Sequence, residues 1–364
     1  VSVKPPMSHA KTGGPLGAAA PKAPLKTARP SSAVPRDVAL LVFLRDRGIL
    51  VLWAVLLIGF AIWNAPYFAT ANNAMLILSA SSVTAVYAAA VAIGLFSGAF
   101  DLSLPGVGAL ASCVTAVALQ NFGFAIPLAL ALGVVIGALC GFVNGWISLK
   151  GLNPLIVTIG TLSVTSGLAA KVVGGYSIYG LFQLEFMGSA RYFGIPSHAF
   201  IVAALYIGLT VFLTQTRAGI RMRAVGGNAE AVRRAGLNER QYRMMGFVFS
   251  GTLAGIAGMM TMALVGEASP TASPGVIFTA LTAVALAGVS LQGGRGSLPR
   301  VLIGALILGT IADGLTIAGV EPYWATVSTG ALMIGALLLD KYLTEAISTR
   351  LVRISTLNVH DGVK

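Results

Sequence analysis

The chain has 364 residues, 56% of them hydrophobic and only 10% charged, and its formal net charge is +12. Soluble domains run at about 25% charged residues, so this composition excludes an ordinary soluble fold. It points to an all-α polytopic membrane protein, whose 44 glycines let helices approach closely in lipid.

Residues 1–37 are a basic mixture rich in Pro and Ala that cannot bury a face, and they read as a disordered cytoplasmic tail. They contain no apolar stretch of the kind a signal peptide carries. Ten apolar segments follow within a transmembrane domain over 48–340: 48–65, 74–96, 103–119, 125–148, 155–172, 198–214, 246–266, 275–290, 300–318 and 323–340. Residues 341–364 form a second tail. A helix needs about 20 residues to cross a hydrocarbon core about 30 Å thick. The third, fifth and eighth segments are expected to be short or broken, since prolines open them in "SLPGVG", "NPLIVTIGT" and "SPGVIFTAL". Such segments line cavities, because freed backbone groups in lipid must find partners.

Ten crossings put both termini on one side. With that side cytoplasmic, every Lys and Arg of the 24 except Lys171 and Arg191 falls inside. The basic excess is therefore a signal of topology, not of nucleic-acid binding.

Polar residues inside this apolar frame are the candidates for function. Asp101 and Ser103 sit between the second and third segments, either capping the third or bordering a substrate path. Asn144, Asn153, Thr158 and Thr161 offer neutral hydrogen bonds to a polyhydroxy substrate, although membrane threonines also bond their own backbone. The loop 173–197 is rich in Tyr and Phe, as an interfacial belt or a docking surface would be. Thr279, Thr282 and Gly288 in the eighth segment repeat the spacing of Thr158, Thr161 and Gly167 in the fifth. That match raises an inverted repeat. Asp313 lies inside the ninth segment, as a buried partner of a hydroxyl or carbonyl, a substrate ligand or a proton relay. Cys113 and Cys140 read as small buried residues, and His9, His198 and His360 form no metal motif.

The central loop holds seven arginines between residues 216 and 243, and it carries helix punctuation. Asn228 is an N-cap, Glu230 falls in the first turn, Arg233 and Arg234 in the second, and Gly236 is a C′ residue. Asn238 caps a second helix that runs from Glu239 into the seventh segment. The loop is thus expected to present a short helix, Ala229-Glu230-Ala231-Val232-Arg233-Arg234-Ala235, joined rigidly to a membrane span.

The stretch "GIRMRAVGGNAEAVRRAGLNERQYRMMGFVFSGTLAGIAGMM" resembles the coupling region of sugar-type ABC importer permeases, the ribose, xylose and galactose class. "FDLSLPGVGALAS" is similar to that family's Gly-Gly-Ile-Asp-Leu-Ser-Val-Gly segment, departing at Ser97, Phe100 and Leu104-Pro105. "GFVNGWISLKGLNPLIVTIGTLSVTSGLA" and "ALTAVALAGVSLQGGRGSLPRVLIGALILG" resemble two further blocks, in the family's order, over roughly 48–340. The resemblance implies a bacterial inner-membrane permease working with a second copy of itself. It also implies a cytoplasmic ABC ATPase that binds the ATP and Mg, and a periplasmic substrate-binding protein. The 228–236 helix would dock on the ATPase. No G-x-x-x-x-G-K-[ST] occurs, so this chain is read as a transport subunit without cofactor or catalytic residues of its own. The cargo implied is a monosaccharide or small polyol. Alternatives are a nucleoside, a signalling furanose or a branched-chain amino acid in the same class of importer, or an ion-coupled secondary transporter.

Overall fold

A computed structural model describes residues 36–361, so most of the N-terminal tail lies outside the described residues. In chain order the helices begin with α1 (Arg36–Trp63), α2 (Ala71–Ser97), α3 (Leu104–Gln120), α4 (Ile126–Ser148) and α5 (Pro154–Val172). A two-residue strand β1 (Ile178–Tyr179), the short α6 (Glu185–Gly188) and a hairpin of β2 (Arg191–Tyr192) and β3 (Ile195–Pro196) fill the next loop. Then come α7 (Ser197–Gln215), α8 (Arg217–Gly227), α9 (Ala229–Arg234) and α10 (Glu239–Val265). The strand β4 (Glu267–Ala268) pairs antiparallel with β1, and α11 (Gly275–Leu286), α12 (Leu298–Ile317) and α13 (Pro322–Asp361) complete the chain.

Each apolar segment read from the sequence is helical. Among the described residues, seven helices are long and apolar enough to cross a membrane, and Arg47–Trp63, Leu104–Gln120 and Gly275–Leu286 are shorter apolar helices. The third and eighth segments are short, as expected. The fifth differs: α5 is an unbroken 19-residue helix. Its proline does no damage because it occupies the first turn, where no backbone donor is needed, and Asn153 Oδ1 caps the helix by accepting from Leu155 N at 3.0 Å.

Two 27-residue helices, α2 and α10, form the centre. Along α4, Gly133, Gly137, Gly141 and Gly145 recur every fourth residue, so one face is bare backbone. That face meets α10. A Cβ on Gly137 would come within 2.5 Å of Gly251 O, and one on Gly141 would collide with Phe247 O. Lipid gives helices no hydrophobic reason to associate, so close backbone approach supplies the packing. By contrast, no residue of Pro322–Leu339 in α13 is buried.

The bundle has two distinct ends. At one, α2 closes at Gly98 (φ +74) beside Gly226 of α8 and the Arg243 side chain. At the other, Arg191 donates to Asn72 Oδ1 at 3.3 Å, Gln120 donates to Tyr179 O at 2.8 Å, and β1 meets β4. The arginine-rich loop and the residues around Lys171 and Arg191 therefore lie at opposite ends.

The repeat read from Thr158, Thr161 and Gly167 does not hold. Gly167 lies inside α5, whereas Gly288 lies beyond α11 in a left-handed turn (φ +65). A different pairing is present. α2 and α10 are equally long, and both close on a left-handed glycine, Gly98 and Gly266, each at φ +74. Each is followed by a short helix with Pro-Gly-Val at its start, Pro105–Val107 in α3 and Pro274–Val276 at α11. α2 packs on α11 and α12 as α10 packs on α3 and α4. Gly98 and Gly266 lie at opposite ends of the bundle, so the relation is inverted.

Candidate functional site: a coupling face, a buried polar junction and two cavities

The basic end is built around α9. Asn228 Oδ1 accepts from Ala231 N at 2.9 Å, which satisfies one of the donors that a helix start leaves open. The chain leaves through Gly236 (φ +78), where Leu237 N bonds Val232 O at 3.2 Å. Glu230 pairs with both Arg233 and Arg234, and Arg233 also reaches Glu239 at 3.5 Å. Val232 is the buried anchor, while Glu230, Ala231, Arg233, Arg234, Ala235 and Gly236 are exposed. Asn238 caps α10 by accepting from Arg240 N at 3.1 Å, and α10 runs unbroken into the centre of the bundle.

The sequence reading missed α8. Thr216 caps it by accepting from Gly219 N at 3.0 Å, and Gly219, Met222 and Val225 form its buried face. α8 meets the C-terminus of α2 and the Gly293–Gly296 turn. Arg223 donates to Gly296 O at 3.0 Å and lies 5.4 Å from the Phe96 ring centroid. Gly226 packs on Phe96 O and Gly294 N so closely that a Cβ would collide.

A second assembly joins residues far apart in sequence. Asn144 Nδ2 donates to Ser103 Oγ at 2.8 Å and to Asp101 Oδ2 at 3.2 Å. Thr161 Oγ1 donates to Asn144 Oδ1 at 2.6 Å. Ser103 gives both its hydroxyl (2.6 Å) and its backbone N–H (2.8 Å) to Asp101 Oδ1. Asp101, Ser103 and Asn144 are all buried. The junction ties the α2–α3 turn to α4 and α5. Asn153 and Thr158 stand outside it: the former caps α5, and Thr158 bonds its own backbone at Leu155 O, 3.3 Å away. Asp313 is elsewhere, accepting from Asn73 Nδ2 at 2.9 Å near the start of α2. The two acids are thus at different ends of the bundle and do not form one site.

Two cavities flank α11. The first, about 350 Å³, lies between α3, α10 and the 267–276 connection. Ser112, Thr261, Ser269, Thr271 and Ser273 line it with hydroxyls, and Tyr87 and Glu267 complete its polar surface. None of these residues was singled out from the sequence. The alternation in "SPTAS" (269–273) was the available signal, since every second residue presents a hydroxyl. The second cavity, about 420 Å³, has Thr279 and Thr282 on its wall, so those two candidates come together there. Cys113 and Cys140 are free thiols among the helices.

Residues 73–337 match the family model described as the permease component of the branched-chain amino acid transport system. The chain belongs to this permease family. The L-arabinose transport system permease protein of Escherichia coli is 34% identical to it over 302 residues, 82% of this chain and 91% of the relative. The ribose import permease protein of Bacillus subtilis is 33% identical, over 79% of this chain and 90% of the relative. The D-allose transport system permease protein of Escherichia coli is 31% identical, over 80% and 90%. The match to the permease family spans α9, the Asp101 junction and both cavities, so each of these features lies within the shared domain. All three relatives are named as permease proteins of transport or import systems.

Proposed function

We propose that this permease is the membrane-spanning subunit of an ABC importer that moves a monosaccharide or related small polyol into the cytoplasm of a bacterium. Its basic end, with both termini, faces the cytoplasm. It works as a pair of copies on a partner ATPase, which binds ATP and Mg, and it receives substrate from a periplasmic binding protein. The observation that carries this reading is α9, an exposed and doubly capped helix joined by one tight turn at Gly236 to the central helix α10. An element that must take up force should be short, rigid and continuous with what it moves. Closure of the ATPase on α9 would tilt α10. Through α8, it would also shift the α2 terminus and the 293–296 turn, which switches access between the two ends. The sugar relatives and the hydroxyl-rich lining of the first cavity support the cargo class. The separation of Asp101 from Asp313 speaks against an ion-coupled carrier, which needs its acids grouped. Alanine at Glu230, Arg233 and Arg234 together tests the coupling. Loss of ATPase co-purification and of uptake is expected, and unchanged binding with unchanged uptake would sink the assignment.

A further inference from the structure

The second cavity differs in chemistry from the first. It lies between α2, α11, α12 and α13, and five threonines face it: Thr84, Thr279, Thr282, Thr326 and Thr329. No Asp, Glu, Lys, Arg or His is part of its lining. Two accessible hydroxyls have already committed their protons to their own helices: Thr279 to Gly275 O at 3.0 Å and Thr329 to Ala325 O at 2.9 Å; Thr282 bonds back to Phe278 O at 2.7 Å in the same way but is fully buried behind them. A hydroxyl that has donated backwards in this way keeps only acceptor capacity. The wall therefore offers hydrogen-bond acceptors without charge, and Phe278 adds an apolar ring.

We propose that this threonine cavity is a second substrate subsite of the permease, which binds a neutral polyol by accepting its hydroxyl protons and rejects zwitterions of similar size. The proposal rests on the importer reading and narrows its cargo. A sugar brings a donor on nearly every carbon, and its C–H face suits Phe278. An amino acid would bring an ammonium and a carboxylate to a lining that holds no opposite charge, and unpaired charge in such a place is costly. The two cavities meet at the start of α11, with Val276 and the preceding Ser273 on one and Gly275, Thr279 and Thr282 on the other.

The test uses the complete importer, permease with its ATPase and binding protein, in proteoliposomes. The probes are D-ribose, L-arabinose, D-allose, D-fructose and L-leucine. Thr279→Val and Thr329→Val keep the side-chain shape and remove the acceptor. Each is expected to lower sugar uptake per ATP hydrolysed by about fivefold, the equivalent of one lost hydrogen bond. Thr279→Ser and Thr329→Ser are expected to restore it. L-leucine is expected neither to be transported nor to slow thiol labelling of a Thr329→Cys permease, whereas the transported sugar slows that labelling. Parental uptake per ATP in both valine variants, failure of serine to restore it, or protection by L-leucine would overturn the subsite. A parent importer that moves none of the four sugars would overturn the importer reading and the subsite with it.

Discussion

Asn144 is the side chain that ties Asp101 and Ser103 to Thr161. Its carboxamide gives two protons towards Ser103 and Asp101 and accepts one from Thr161. Asn144→Ala would leave the buried Asp101 and Ser103 short of a donor and Thr161 short of its side-chain acceptor. A buried polar atom left without a partner costs about 1–3 kcal/mol. Asn144→Ala is therefore expected to destabilise the permease by about 2–3 kcal/mol, seen as a lower midpoint in thermal unfolding of the purified protein. An unchanged midpoint would mean that water replaces the carboxamide at no cost. The chemistry of this junction was legible in the sequence, because acids, amides and hydroxyls stand out in an apolar chain. Its assembly was not. Asp101 and Asn144 are 43 residues apart, and only the packing of α4 against the α2–α3 turn brings them together. Tyr87 was invisible for the opposite reason. In "VTAVYAAAVAIG" it reads as one more apolar residue, and its place on a cavity wall depends on Gly108, which has no side chain to keep the hydroxyl away.

At the scale of elements, local signals were dependable and interfaces were not. Asn228, Gly236 and Asn238 bound α9 and α10 as read, because caps are decided within four residues. α8 was missed because Arg217, Arg221 and Arg223 disguise an amphipathic helix as a charged loop, while its buried face is only Gly219, Met222 and Val225. Two consequences are open to measurement. Asn228→Ala removes the cap of a helix only six residues long. A lost cap costs about 1 kcal/mol, so amide exchange over 229–235 should speed up about fivefold while α10 stays protected. Equal rates would mean that Val232 alone holds the helix. The glycines divide in the same way. Gly251→Leu drives a side chain into the backbone of α4 at Gly137 and Gly141 and should abolish recovery of folded protein. Gly208→Ala in α7 meets nothing within 4 Å and should be neutral or stabilising by about 0.5–1 kcal/mol. Size-exclusion profiles of the two variants separate the cases. A monodisperse Gly251→Leu protein would show that the α4–α10 contact is dispensable.

For the whole molecule, the question is how a pull on one surface helix reaches a bundle whose two halves are related by inversion. On the proposed reading, α10 would carry the motion into one half directly. The other half, headed by α2, would be reached through α8, whose contact with it is narrow. That contact consists of Gly226 packed on Phe96 O, the Gly293–Gly296 turn bonded back to Leu95 O, and Arg223 bridging the two. Arg223 holds Gly296 O with a charge-assisted bond at 3.0 Å and covers the Phe96 ring. It does not belong to α9, so removing it leaves the proposed ATPase dock intact. Arg223→Ala should therefore keep the ATPase bound while uptake per ATP falls about tenfold, because a bond of this kind is worth about 1.5–3 kcal/mol. Arg223→Lys should recover only part of the loss, since a compact ammonium cannot both donate to Gly296 O and span to the Phe96 ring as the guanidinium does. Co-purification separates this outcome from a coupling-helix defect: alanines at Glu230, Arg233 and Arg234 release the partner, and Arg223→Ala does not. Parental coupling in Arg223→Ala would mean that α10 alone drives both halves, leaving the α8 contact a matter of stability.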